Sequence, residues 1–422
     1  MSNVAHVDFT EGKYADTTWY ELTNIITTSG VLESVKFKCS CAQSENSVKF
    51  INALANNKRI TRLSAACDWA SGGAGNFERS GGGDAKFNQA FQKYISGSTV
   101  LRSLELHTYQ TDSFEQLVGV LDGVTTNLVS LSFGGNYGRC PDNMILSLMS
   151  TVGTLANLTR LRLMYIGNQV QNNLPISYLS GLTTLVDLDL NRIDVFPEQV
   201  AELEIYSSRK PLKSLNITLI YDAVSGYRPV TNFLKIENLR TLTLHITFLV
   251  PFVGDVTEPQ NLKDIGNILN LISINSTLKH LELSSLAFNP GMCLAFLDAV
   301  SENTMLTHFG MQGSKEMDNT MINVNILEVL NANTTLRSLT HYPDYYGGFK
   351  IVVAPFLQRN LDRQWKNIHR IILDAVLGMR KLHLPAYVLL EIVDWLPNVI
   401  YTKQHLKIKL ILGIINSAKN FK

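Results

Sequence analysis

Leu185-Val186-Asp187-Leu188-Asp189-Leu190 carries leucine at its first, fourth and sixth places. The same spacing recurs as Leu158/Leu161/Leu163, Leu212/Leu215/Ile217 and Leu239/Leu242/Leu244. The leading leucines stand at 158, 185, 212 and 239, so each step is 27 residues. A fixed period of that size marks stacked structural units rather than separate globular domains.

The pattern spreads in both directions. Its leading apolar places are Leu32, Ile60, Leu101, Leu128, Leu158, Leu185, Leu212, Leu239, Leu278, Leu306 and Leu336. Successive gaps are 28, 41, 27, 30, 27, 27, 27, 39, 28 and 30 residues. The two long gaps place insertions at Asp68–Phe87 and at Phe248–Lys263. The first holds Ser71-Gly-Gly-Ala-Gly75 and Ser80-Gly-Gly-Gly83 without the Lys-Ser/Thr of a phosphate-binding loop, and reads as a flexible loop. The second, with Pro251, Gly254 and Pro259, reads as a surface loop.

Alternating inward side chains make each Leu-x-x-Leu-x-Leu a short strand. Amphipathic helical stretches lie between, clearest at Phe114–Leu121, Asn143–Leu155, Ile265–Ile274, Met292–Val300 and Val324–Leu330. Neither element buries its apolar face alone, so neighbours must stack. Helices are about 10 Å wide and strands about 4.8 Å apart, so the expected α/β solenoid curves, with a parallel sheet on its concave side.

The turns before three strands read Asn275-Ser-Thr-Leu278, Asn303-Thr-Met-Leu306 and Asn333-Thr-Thr-Leu336. With the helical repeat length, they resemble the leucine-rich repeat proteins of the ribonuclease-inhibitor-like subclass. The resemblance covers residues 31–345, about eleven repeats. It implies a horseshoe that presents its concave sheet to a protein partner. The chain departs from the family after the strand, where only Asn136 keeps the expected asparagine; Tyr109, Ile166, Ile193, Ile220, Thr247 and Leu286 stand elsewhere.

Two flanks complete the expected organisation. Residues 1–30, with Phe9, Trp19, Tyr20, Leu22, Ile25 and Ile26, read as an N-terminal cap with a short helix. Residues 346–422 read as helical, either a C-terminal cap or an F-box-like segment. Leu384-Pro385 before Leu389, Leu390, Ile392 and Leu396 resembles the opening helix of an F-box. A position after the repeats and the absence of a downstream Cys-Lys-x-Trp-like element depart from that family.

Composition limits the function. The chain has 422 residues, 45% hydrophobic and 17% charged, enough for a buried core. Its net charge of +1 is uneven. Residues 346–422 hold 12 Lys and Arg against 4 Asp and Glu, leaving 25 against 32 for the rest. An acidic array without an aromatic–basic motif argues against nucleic acid. Five cysteines in no CxxC arrangement suggest reduced thiols. No secretory signal or membrane span is read, so a cytoplasmic protein is expected.

No GxSxG, HExxH or CxxC motif occurs, so no enzyme, cofactor or metal is expected. His280 and His308 share one repeat place and should sit side by side, but two histidines make a poor zinc site. Arg160 and Asp187 are likewise equivalent, as are Arg162 and Asp189. Each pair is either a cross-strand charge pair or part of a recognition patch. The candidate partner-binding residues are Arg160, Arg162, Asp187, Asp189, His280, Glu282, His308 and Tyr342. The first functional reading is a non-catalytic interaction scaffold. The alternatives are a ubiquitin-ligase substrate receptor that docks an adaptor through its C-terminal helices, and a regulator like the Ran GTPase-activating proteins.

Overall fold

The computed structural model describes residues 6–9, 16–39, 45–67, 83–108, 121, 127–135, 142–164, 176–195, 197–209, 212–221, 227–248, 259–284, 290–312, 329, 332–342, 359–360 and 362. The F-box-like stretch 384–397, Asn136 and most of both insertions lie outside them.

Twelve strands form one parallel sheet in strict sequence order. They are β1 (His6–Phe9), β2 (Ser34–Cys39), β3 (Arg62–Cys67), β4 (Ser103–Thr108), β5 (Ser130–Gly135) and β6 (Arg160–Met164). They continue as β7 (Asp187–Val195), β8 (Ser214–Tyr221), β9 (Thr241–Phe248), β10 (His280–Ser284), β11 (His308–Gln312) and β12 (Ser338–Tyr342). Helices run between strands: α1 (Asp16–Thr28), α2 (Glu45–Asn56), α3 (Gly83–Gly97), α4 (Asp142–Gly153), α5 (Pro197–Arg209), α6 (Arg228–Leu234), α7 (Pro259–Ile274) and α8 (Pro290–Glu302). A 3₁₀ turn, Ile176–Gly181, takes the helical place between β6 and β7. The chain is a leucine-rich-repeat-like solenoid with its sheet on the concave wall and its helices on the convex one.

The leucine pattern is the core. All eleven leading apolar residues are buried, from Leu32 to Leu336. So are the inward strand residues, for example Leu188, Leu190, Leu215 and Ile217. Alternation follows: β6 runs exposed, buried, exposed, buried, half-buried along Arg160–Met164.

Two features extend the repeat beyond its leucines. β1 pairs in register with β2, His6 with Ser34 and Phe9 with Phe37. The segment expected as a cap therefore carries its own strand and helix. Trp19 of α1 packs on Phe37 and Phe50, and Phe37 meets Phe91 edge-on. The second feature concerns the first insertion. Its glycine-rich end is helical, because α3 starts at Gly83 and buries Phe87 against Phe91. Likewise α7 starts at Pro259, inside the second insertion, with proline where its missing N–H costs nothing.

Each helix-to-strand turn must satisfy buried backbone groups. The outer units use asparagine three places before the leading apolar residue. Asn333 Nδ2 donates to the carbonyls of Val300 and Asn303, at 2.8 Å each. Its Oδ1 accepts from the amides of Thr335 and Leu336, also at 2.8 Å. Asn303 does the same toward Ile272, Asn275, Met305 and Leu306. Asn57, ahead of Ile60, donates to Ile26 O at 3.0 Å. Asn360 donates to the carbonyls of Asn333 and Leu336, at 3.1 and 3.0 Å. The ladder thus reaches past residue 345.

Three middle units place leucine or isoleucine there instead: Leu155, Leu182 and Ile236, all buried. The backbone closes these turns itself, with Leu158 N donating to Leu155 O at 2.9 Å and Leu239 N to Ile236 O at 3.2 Å. Close approach helps. A Cβ on Gly153 would stand 2.7 Å from Tyr178 O, and one on Gly181 would stand 2.5 Å from Gly153 O.

Asn333 therefore carries more stability than an exposed polar residue. Asn333→Ala is expected to cost about 3 kcal/mol or more, because buried amides and carbonyls lose their partners together. Asn333→Asp keeps both accepted bonds but cannot donate, and should also destabilise. Leu188→Ala should cost about 2–5 kcal/mol and Arg160→Ala under about 0.5 kcal/mol. Denaturation midpoints check all four; equal midpoints for Leu188→Ala and Arg160→Ala would overturn the assigned register.

Candidate functional site

Outward side chains of neighbouring strands line up in rows, because every pairing is parallel and in register at these places. The first row holds Arg160, Asp187, His280 and His308; the second holds Arg162, Asp189 and Glu282. The expected neighbours are therefore neighbours in the fold. The two sites remain separate along the sheet, on β6–β7 and on β10–β12.

On β6–β7 the two equivalent charge pairs behave differently. Arg162 Nε lies 2.8 Å from Asp189 Oδ2, and the arginine side chain stays 49% exposed. Arg160 faces Asp187 in the register, but no ion pair joins them among the described residues. Arg160 is exposed and Asp187 half-buried.

On β10–β11 the imidazoles of His280 and His308 stack, with centroids 5.5 Å apart and planes at 29°. Glu282 Oε2 lies 3.8 Å from His280 Nε2. That contact, with help from the charges of His245 and His280 and against a burial penalty, holds the Glu282 carboxyl below its ordinary range. Burial lowers the His308 pKa, and the charges of His280 and Arg337 add to the effect. His245 Nδ1 contacts Ser284 Oγ on the next strand. Gly310 leaves room for Glu282, since a Cβ there would come 3.0 Å from Glu282 Cγ. Tyr342 is the last residue of β12, opposite Gln312.

The sequence reading overlooked a third group, on the early strands. Glu105 Oε1 and His107 Nε2 are 2.7 Å apart. Glu105 is brought down to about 2, chiefly by the His107 hydrogen bond, then by Ser64 and the Lys36 charge, against burial. Lys36 Nζ in turn lies 3.4 Å from Asp8 Oδ2. Lys36, Glu105 and His107 stand at outward places counted from Leu32 and Leu101, so the same arithmetic applied to the first repeats would have found them. The described residues contain no group of three or more His, Cys, Asp or Glu able to hold a metal ion.

Acid should destabilise the array in two stages. His308 binds protons less readily folded than unfolded, so stability falls as pH drops through its ordinary value of 6.5. The Glu105 contribution is complete above 4.5 and is lost as pH falls toward about 2. His308→Gln should flatten the upper stage of a midpoint-against-pH curve and Glu105→Gln the lower one. An upper stage unchanged by His308→Gln would contradict the assignment.

No protein-family model matches this chain, and no curated protein does. Among solved structures, the chain is similar to leiomodin-1 actin-binding site 2, at 19% identity over 35% of this chain and 79% of that one, with a TM-score of 0.28. It is also similar to the tropomodulin C-terminal domain of Caenorhabditis elegans, at 17% identity over 39% of this chain and 88% of that one, with a TM-score of 0.28.

Proposed function

We propose that this protein is a non-catalytic interaction scaffold of the ribonuclease-inhibitor-like kind, acting in the cytoplasm and holding a protein partner against its concave sheet. Residues 31–345 form the repeat array in this reading, with 1–30 and 346–422 covering its ends. The observation that carries it is the Arg162–Asp189 pair. Asp189 fixes the guanidinium through Nε at 2.8 Å while the side chain stays 49% exposed. An arginine held in place loses less freedom when a partner engages it, and arginine is enriched among residues that dominate binding. Arg160 stands two residues earlier on the same face. Together they form a polar centre in the middle of the sheet, with Arg162 as its fixed member. His280, Glu282 and His308 extend the same face toward the last strands, and Tyr342 ends β12. The mixture of charge signs suits a protein surface better than a uniform phosphate backbone.

The test begins with a partner captured from the native cell. Arg160→Ala and Arg162→Ala should each weaken its binding by about 1 kcal/mol or more, leaving the unfolding midpoint nearly unchanged. Tyr342→Ala should weaken it similarly. If these substitutions leave affinity intact while deletion of residues 68–82 abolishes it, recognition runs through the insertion and not through the sheet.

A further inference from the structure

Charges on the sheet face are distributed unevenly. On β1–β7 Asp8 pairs with Lys36 and Arg162 with Asp189, and Glu105 is hydrogen-bonded to His107, while Arg160 and Asp187 stay apart. From β8 onward the balance changes. One residue stands just before each strand, at the rim of the sheet. In three consecutive units it is Lys213, Arg240 and Lys279, all exposed. Their backbones are directly bonded, Arg240 N to Lys213 O and Lys279 N to Arg240 O, at 2.8 Å each. The three side chains therefore leave the sheet from adjacent rungs, about 4.8 Å apart. None of them forms an ion pair among the described residues. The Lys279 ammonium reaches only Met305 Sδ, at 4.0 Å.

The surroundings do not neutralise this row. Two units later the same place holds Arg337, whose Nε is buried without a hydrogen-bond partner among the described residues. Among the described outward side chains of β8–β12, Glu282 is the one carboxylate, and it is engaged by His280. Glu237 and Glu302, in the adjoining turn and helix end, form no ion pair with the row among the described residues. Like charges on neighbouring rungs repel, so the row costs the isolated array stability.

We infer that the Lys213–Arg240–Lys279 rim binds an acidic peptide segment of a protein partner, a run of Asp and Glu laid across the leading ends of β8–β10. This deepens the reading of the sheet as an interaction face and rests on it. One observation favours a peptide over a nucleic acid. Ser214, Asn216 and Thr241 lie half-buried beside the row and offer hydrogen bonds suited to a peptide.

The experiment uses the full chain and a fluorescent oligoglutamate peptide, with a single-stranded oligonucleotide and phosphatidylserine vesicles as parallel probes. The peptide should bind, more weakly as salt rises. Lys213→Gln/Arg240→Gln/Lys279→Gln should weaken it about tenfold. The exposed helical pair Lys93→Gln/Lys263→Gln should not. Arg240→Glu alone is the second variant, should the triple one not fold; it too should weaken the peptide. Absence of peptide binding, binding indifferent to Arg240→Glu, or oligonucleotide or vesicle binding that is tighter and lost in the triple variant would each overturn the inference. Arg162→Ala separates this outcome from the wider reading: partner binding lost with Arg162 but kept in the rim variants would uphold the concave site and reject the acidic segment.

Discussion

One hydrogen-bond arrangement fixes everything else: a single carbonyl that accepts two successive amides from the next unit. Glu33 O takes the N–H of Thr61 and Arg62, Thr61 O takes those of Arg102 and Ser103, and the series continues to Thr307 O with Arg337 and Ser338. Each rung sets where the next strand begins. Side chains alternate along a strand, so a slip of one residue would turn every leucine outward and every charge inward. The leucine core and the polar rows are therefore two consequences of the same register. A change that disturbs one rung disturbs a stripe on both faces.

The turns show two solutions to one requirement. Carbonyls at the end of one unit and amides at the start of the next are buried and need partners. One solution is asparagine, whose amide group donates twice and accepts twice, as Asn303 and Asn333 do. The other fills the same place with a buried Leu155 or Leu182 and closes the turn through the backbone. The glycines at 153 and 181 permit the close approach there. Ser98 is an intermediate case: it is buried, and its hydroxyl accepts the Leu101 amide at 3.3 Å.

Much of this was legible in the residues. Eleven leading positions gave eleven strands, and the outward places followed from counting by two. The stacking of His280 on His308 and the Arg162–Asp189 contact were readable because a parallel register puts equivalent places side by side. What escaped had a physical reason in each case. β1 has no leading leucine; its Val7-x-Phe9 matches Val35-x-Phe37 at the repeat step, but four residues carry little period. Asn57 precedes isoleucine, which hid its likeness to the later Asn-x-x-Leu turns. The start of α3 inside a glycine-rich stretch is set by the burial of Phe87 and Phe91, a tertiary contact that overrides local propensity. Nor could spacing tell that Arg160 and Asp187 would stay apart while their neighbours two residues on closed to an ion pair.

That difference bears on what the polar rows are for. If outward charges served only to stabilise the sheet, equivalent pairs would be expected to close alike, and like charges would be kept off adjacent rungs. Exposed pairs contribute about 0.2–1 kcal/mol at best, so stability exerts little pull on them. The buried leucines hold the array regardless of what faces outward. The outward rows are thus free to be chosen for another purpose. On β1–β7 Asp8 and Lys36, and Arg162 and Asp189, hold one another in place; at the rim of β8–β10 three cations stand on adjacent rungs without an ion pair among the described residues. A surface that fixes some of its charges and leaves others exposed fits the proposed partner, one that supplies the missing sign.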